Sequence, residues 1–104
     1  METSRIDNQV PFMAIHPTEI IKDEIKERGM SQKELAERLG MQASNVSRML
    51  REKETITSAL AVKLEKALGI KSSFWLNLQA EYDKDVVAIE LRNEKELASI
   101  DQEY

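Results

Sequence analysis

Ser31 to Leu50 reads S-Q-K-E-L-A-E-R-L-G-M-Q-A-S-N-V-S-R-M-L, and its residues fall where two short helices joined by a tight turn need them. Ser31 followed three residues later by Glu34 is a capping box, hydroxyl and carboxylate serving the unpaired N–H groups of a helix start. The spacing predicts a helix from Gln32. Ala36 is small where two helices must approach closely. Gly40 follows Leu39 where the chain needs a left-handed residue to stop and turn. Leu35, Leu39, Met41, Val46 and Met49 supply the apolar set: i and i+4 on the first helix, a plug in the turn, and i and i+3 on the second. The pair is placed at about residues 32–39 and 43–51.

The outward face of the second helix carries Gln42, Ser44, Asn45, Ser47 and Arg48, short polar groups and one guanidinium with no bulky apolar residue among them. Such a face suits base edges in a DNA major groove, where the first turn of a recognition helix makes its contacts. The alternative is a solvated face on an ordinary helical hairpin. Cap, alanine, glycine and apolar spacing coincide here, which favours a DNA-binding helix-turn-helix. Arg51 and Lys53, just beyond that helix, stand at the groove edge and are assigned to phosphates.

A chain of 104 residues with 41% hydrophobic content fits one compact domain with a tail. The absence of cysteine excludes disulfides and thiolate metal sites. A single histidine, His16, cannot build a metal centre, and its following proline suggests that it fixes the start of a helix. No metal and no cofactor are expected. No apolar run approaches the length of a membrane span, and Met-Glu-Thr-Ser-Arg-Ile-Asp at the start lacks the regions of a secretory signal. A cytosolic protein with no membrane partner is expected. The net charge of −4 opposes nucleic-acid binding only until its distribution is considered. Residues 31–69 carry seven basic and five acidic side chains, a net +2. Residues 1–30 sum to −2 and residues 70–104 to −4.

Along the rest of the chain, residues 1–14 show no helical period and read as an irregular arm. A first helix is predicted from Pro17, with Ile20, Ile21 and Ile25 buried and Gly29 as terminator. Thr57 is the expected N-cap of a fourth helix running to Gly69, with Leu60, Leu64 and Leu68 inward. Ser72 is the expected cap of a fifth, whose Phe74, Trp75, Leu78 and Tyr82 recur at helical intervals. That spacing suits core or interface packing of Trp75 better than a ligand platform. From Val86 to Tyr104 both periods fit: Val87, Ile89 and Leu91 alternate like a strand, while Val87 with Leu91 and Leu97 with Ile100 suit a helix. The organisation expected is an arm at 1–14, a domain at 15–83 and an acidic extension at 84–104.

Five helices with the helix-turn-helix as second and third resemble the lambda-repressor-like, XRE-type DNA-binding domain, an all-α fold. The H-P-T-E at His16 to Glu19, the R-G-M-S-Q-K-E-L-A-E-R-L-G core and the F-W-L-N-L-Q-A-E-Y-D from Phe74 to Asp83 narrow the resemblance to the HigA antitoxins, also known as virulence-associated protein I. It spans roughly residues 15–83. The resemblance implies a dimer that binds an operator upstream of its own operon and neutralises a small ribosome-dependent ribonuclease toxin, HigB. Carried over by position, it puts Gln32 on a phosphate, with Ser31 and Lys33 beside it at the same helix start. It assigns Gln42, Ala43, Ser44 and Arg48 to the base-reading face. Ala43 stands where phage repressors often have an adenine-reading glutamine, which leaves at most a thymine methyl contact there.

Two further expectations concern assembly. A single recognition helix covers one half-site, so a homodimer on a pseudo-palindrome is expected, with Trp75, Leu78, Tyr82, Val86 and Ile89 at its interface. An RNA-cleaving toxin must meet phosphates and should be basic, so the acidic first helix (Glu19, Asp23, Glu24, Glu27), the arm or the acidic C-terminal third is its expected dock. A stand-alone XRE regulator without a toxin partner is the alternative. An enzyme built on His16 and chance carboxylate pairs has little to support it.

Overall fold

In the computed structural model, residues 12–102 are described, with side chains described up to residue 95. The expected all-α fold is what forms: five helices among the described residues, α1 Pro17–Glu27, α2 Gln32–Leu39, α3 Ala43–Glu52, α4 Ser58–Leu68 and α5 Ser72–Gln102. One compact unit, His16–Ala80, contains α1 to α4 and the opening turns of α5. The second unit takes up the segments before and after it, of which residues 12–15 and 81–102 are described.

Within the first unit α2 packs on α3 and α4, and α1 on α3. The core between them joins Ile21 and Ile25 of α1, Leu35, Ala36 and Leu39 of α2, Val46, Met49 and Leu50 of α3, Ala61, Leu64 and Leu68 of α4, and Trp75 of α5. Ile20, Met41 and Leu60 pack against it only partly buried. Each fully buried aliphatic side chain contributes about 1.5–3 kcal/mol, so this cluster fixes how α3 is presented.

The turn between α2 and α3 follows from Gly40, whose φ of +69° is strained for any residue with a Cβ. The Gly40 N–H donates to the Glu37 carbonyl at 3.2 Å and the Met41 N–H to the Ala36 carbonyl at 2.9 Å, the paired bonds of a Schellman turn. Half of the expected capping box forms: the Ser31 hydroxyl accepts from the Glu34 N–H at 3.0 Å. The Glu34 carboxylate instead pairs with Arg38, four residues on, at 3.1 Å. Thr57 caps α4 as predicted, accepting from the Leu60 N–H at 3.2 Å. Ser72 does not cap α5. It is the first helical residue, and its N–H donates to the Glu65 carboxylate at 2.7 Å.

The carboxyl end of α4 is closed by two arginines, one just past α1 and one in α2. Arg28 donates to the Leu68 carbonyl at 2.8 Å and Arg38 to the Ala67 carbonyl at 3.3 Å. Both guanidinium groups face the negative end of the helix dipole, and Glu24 and Glu34 pair with them from one turn earlier.

The ambiguous stretch from Val86 is helical. α5 continues without interruption to Gln102, with Val86 and Ile89 half-buried and Val87 and Leu91 54% and 60% exposed. The last two residues of the chain and residues 1–11 of the expected arm lie outside the described residues. Trp75 corrects the expected dimer interface. It is fully buried in the core, its ring meeting Phe74 edge-on at 5.2 Å, and its indole Nε1 has no acceptor among the described residues. Leu78 also packs against that core. Helical spacing alone does not separate a side chain turned to its own domain from one turned to a partner.

Candidate nucleic-acid interface

The candidate interface is the outer side of α3. Val46, Met49 and Leu50 anchor one side of the helix, and the turn of Gly40 sets its start, so the opposite side is held outward. Gln42, Ala43, Ser44 and Arg48 are exposed; Asn45 and Ser47 are half-buried at its flanks. Ser44, Arg48 and Arg51 follow at i, i+4 and i+7, which puts them in one row along the helix.

α3 begins differently from the helices before and after it. α1, α2 and α4 start with a side-chain cap, from His16, Ser31 and Thr57. Gln42 occupies the N-cap position of α3 but makes no side-chain bond to the helix, which leaves its amide uncommitted. A helix start with unsatisfied N–H groups and a positive dipole end is a favourable place for a phosphate or a base acceptor.

At the other end, Lys53 closes α3 in the left-handed region, φ +54°, and its N–H donates to the Met49 carbonyl. It is the one non-glycine residue with positive φ among the described residues. The following residue, Glu54, brings its carboxylate to 3.3 Å from Arg48 Nε. Arg51 and Lys53 are both exposed, Arg51 with its guanidinium 4.0 Å from the Glu52 carboxylate. The charge of Lys53 also reaches the start of α1. Glu19 is held below its ordinary value mainly by its bond to Lys22 at 2.9 Å, with the nearby Lys22 and Lys53 charges adding to it and burial opposing. Ser31, Gln32 and Lys33 are exposed at the start of α2, the Ser31 hydroxyl serving as the cap.

Two positioning groups stand behind this surface. His16 is the N-cap of α1: its buried Nδ1 accepts from the Thr18 N–H at 3.1 Å and lies 2.9 Å from the Thr18 hydroxyl. The role expected from the H-P pair is the one it plays. Gln79, in the first unit's part of α5, escaped the sequence reading. It is 7% exposed, and its Oε1 accepts from the Ile56 N–H at 2.8 Å, pinning the loop that follows α3. Its one visible signal was a polar residue on the face that carries Trp75, one turn earlier.

Among the described residues no helix is long and apolar enough to cross a membrane. Comparison with known proteins places this geometry. The Helix-turn-helix family model matches residues 21–76. Virulence-associated protein I of Dichelobacter nodosus is 38% identical over 77 residues, 73% of this chain and 69% of that protein. The uncharacterized HTH-type transcriptional regulator YddM of Escherichia coli K12 is 36% identical over 77% of this chain and 93% of its own length. Among solved structures, the Pseudomonas aeruginosa antitoxin HigA with the higBA promoter superimposes with a TM-score of 0.65 at 33% identity, covering 81% of this chain and 90% of that one.

Proposed function

Since the chain belongs to the XRE-type helix-turn-helix family and, within it, to the HigA-like antitoxins, we propose that it binds operator DNA sequence-specifically, represses its own operon as a homodimer, and neutralises a small basic ribonuclease toxin of HigB type in the cytosol. The observation that carries the DNA reading is α3 itself: apolar on its core side, and outward an uncommitted Gln42 followed by Ser44 and Arg48 in one row. A relative of similar length solved with a promoter supports DNA binding. Base contacts come from Gln42, Ala43, Ser44, Asn45, Ser47 and Arg48, and phosphate contacts from Ser31, Gln32, Lys33, Arg51 and Lys53. No catalytic role is proposed.

The dimer contact is assigned to the exposed apolar residues Val87 and Leu91 with the half-buried Tyr82, Val86 and Ile89. The toxin contact is assigned to α1. There Glu19 and Glu24 already pair with Lys22 and Arg28, so the carboxylates offered to a basic partner are Asp23 and Glu27, which with Lys26 line an open depression.

Titration of the full chain onto duplexes from upstream of its gene, with a scrambled duplex as reference, tests the DNA reading. Tight, salt-sensitive binding to the upstream duplex supports it, and equal affinity for both refutes it. Co-expression with the product of the adjacent gene tests the partner. Complex formation weakened by Asp23→Lys and Glu27→Lys is the expected result. An adjacent product that is harmless alone or does not bind leaves the stand-alone regulator, the reading in line with the regulator-type relative that this chain covers almost completely.

A further inference from the structure

The loop after the recognition helix holds an acidic residue at the edge of a surface meant for phosphates, an unfavourable place for a negative charge unless it does something there. Glu54 is that residue. It follows Lys53, whose left-handed conformation turns the chain back beside α3, and the Glu54 N–H donates to the Met49 carbonyl at 3.1 Å, inside the closing turn of the helix. Its carboxylate therefore lies beside Arg48, Oε2 at 3.3 Å from Nε, with the two side chains 53% and 43% exposed.

We propose that Glu54 is a positioning and specificity-determining residue: its ion pair on the Nε side of Arg48 restrains the side chain so that the end-on edge of the guanidinium, the two Nη groups, meets the N7 and O6 of a guanine. The inference rests on the DNA reading above and deepens it. Arginine has five N–H donors in a rigid planar fork, and a base needs only two of them. An arginine on the rim of a helix otherwise samples many rotamers and settles on the nearest phosphate, which carries no sequence information. A carboxylate paired on the Nε side of the fork restrains the guanidinium and leaves free the pair of donors whose spacing matches guanine. The same carboxylate repels phosphates, so it lowers affinity for duplexes in which Arg48 finds no guanine. Both effects widen the gap between the right sequence and the rest.

In the free protein this half-exposed pair is weak. Docking removes water from it and strengthens it where it acts.

The test selects duplexes from a randomised library with the full chain and with Arg48→Ala, Glu54→Gln and Glu54→Asp, and sequences the bound pools. Thermal unfolding of each variant verifies the fold. Arg48→Ala identifies the base pair that Arg48 reads. At that same pair Glu54→Gln is expected to lower guanine preference by about fivefold, a part of what one bidentate contact discriminates. Binding to a scrambled duplex is expected to rise about twofold as a negative charge is removed. Glu54→Asp keeps the charge but shortens the reach by one methylene, so it is expected to lose guanine preference while binding the scrambled duplex as the wild type does. Wild-type preference in both Glu54 variants, or in Glu54→Asp alone, overturns the positioning role. A profile unchanged at every position in Arg48→Ala overturns the assignment of Arg48 itself, a distinct failure.

Discussion

Replacing Gln79 by methionine removes the hydrogen bond that holds the loop after α3. Methionine matches glutamine in length and volume but offers only a weak sulfur acceptor, so the Ile56 N–H, now bonded to Oε1 at 2.8 Å, is left buried without a partner. Ile56 is itself almost fully buried, so water does not take the vacated place. An orphaned buried donor costs about 1–3 kcal/mol. For a domain of this size, each kcal/mol lowers the melting temperature by about 4–8 °C. Gln79→Ala loses the same bond and also packing volume, raising the cost to about 2–4 kcal/mol. Urea unfolding of wild type and both variants measures these differences, with unchanged slopes confirming that the same surface is exposed. A methionine variant within about 0.5 kcal/mol of wild type, the scatter expected of an inconsequential surface change, refutes the claim that this bond restrains the loop. DNA affinity supplies a second readout, because the loop begins at Lys53 and Glu54. Both variants are expected to bind the preferred duplex more weakly at a temperature where they remain folded.

Arg48→Ala is expected to cost about 1–3 kcal/mol on the preferred duplex and to relax choice at particular base pairs, while Lys53→Ala weakens all sequences alike; titrations on preferred and scrambled duplexes separate the two. Lys53→Gly relieves the left-handed conformation at the end of α3 and is expected to raise stability by about 1 kcal/mol in urea unfolding while lowering DNA affinity. His16→Ala removes the buried cap of α1 and is expected to cost about 1 kcal/mol, whereas His16→Asn, which keeps an acceptor near the Thr18 N–H, costs a few tenths. Leu91→Lys is expected to shift the chain toward monomer in sedimentation or light scattering without lowering its melting temperature in dilute solution; an unchanged oligomeric state removes this face from the dimer contact.

What the sequence made legible was whatever is decided by neighbours. Ser31, Gly40 and Thr57 act on backbone within a few residues of themselves, so their roles could be read from spacing and were found as read, apart from the Glu34 half of the capping box, which Arg38 claims. The second half of α5 was not legible, because Val86, Val87, Ile89 and Leu91 put apolar groups on two sides and satisfy both periods. The period of Trp75 fitted core or interface alike, and its burial in the domain's own core depends on which helix lies opposite. The contributions of Gln79 and Arg28 are long-range: one bonds to a residue 23 positions away and the other to a carbonyl 40 positions away. Arg48 and Glu54 are brought together by the left-handed turn at Lys53, a conformation that a lysine does not announce.

The two arginines on the end of α4 bear on how surface mutagenesis of this domain is to be interpreted. Arg28 and Arg38 count toward its positive charge, and replacing either by alanine would be entered as a DNA-binding defect in a survey scored by retained affinity at one salt concentration. Their guanidinium groups are tied to Leu68 and Ala67 carbonyls and to Glu24 and Glu34. Losing one frays α4 and lowers the fraction of molecules able to bind, whatever the salt. A lost phosphate contact instead flattens the dependence of log K on log salt by about one unit. The slope, then, distinguishes basic residues that face the nucleic acid from basic residues that keep the domain assembled.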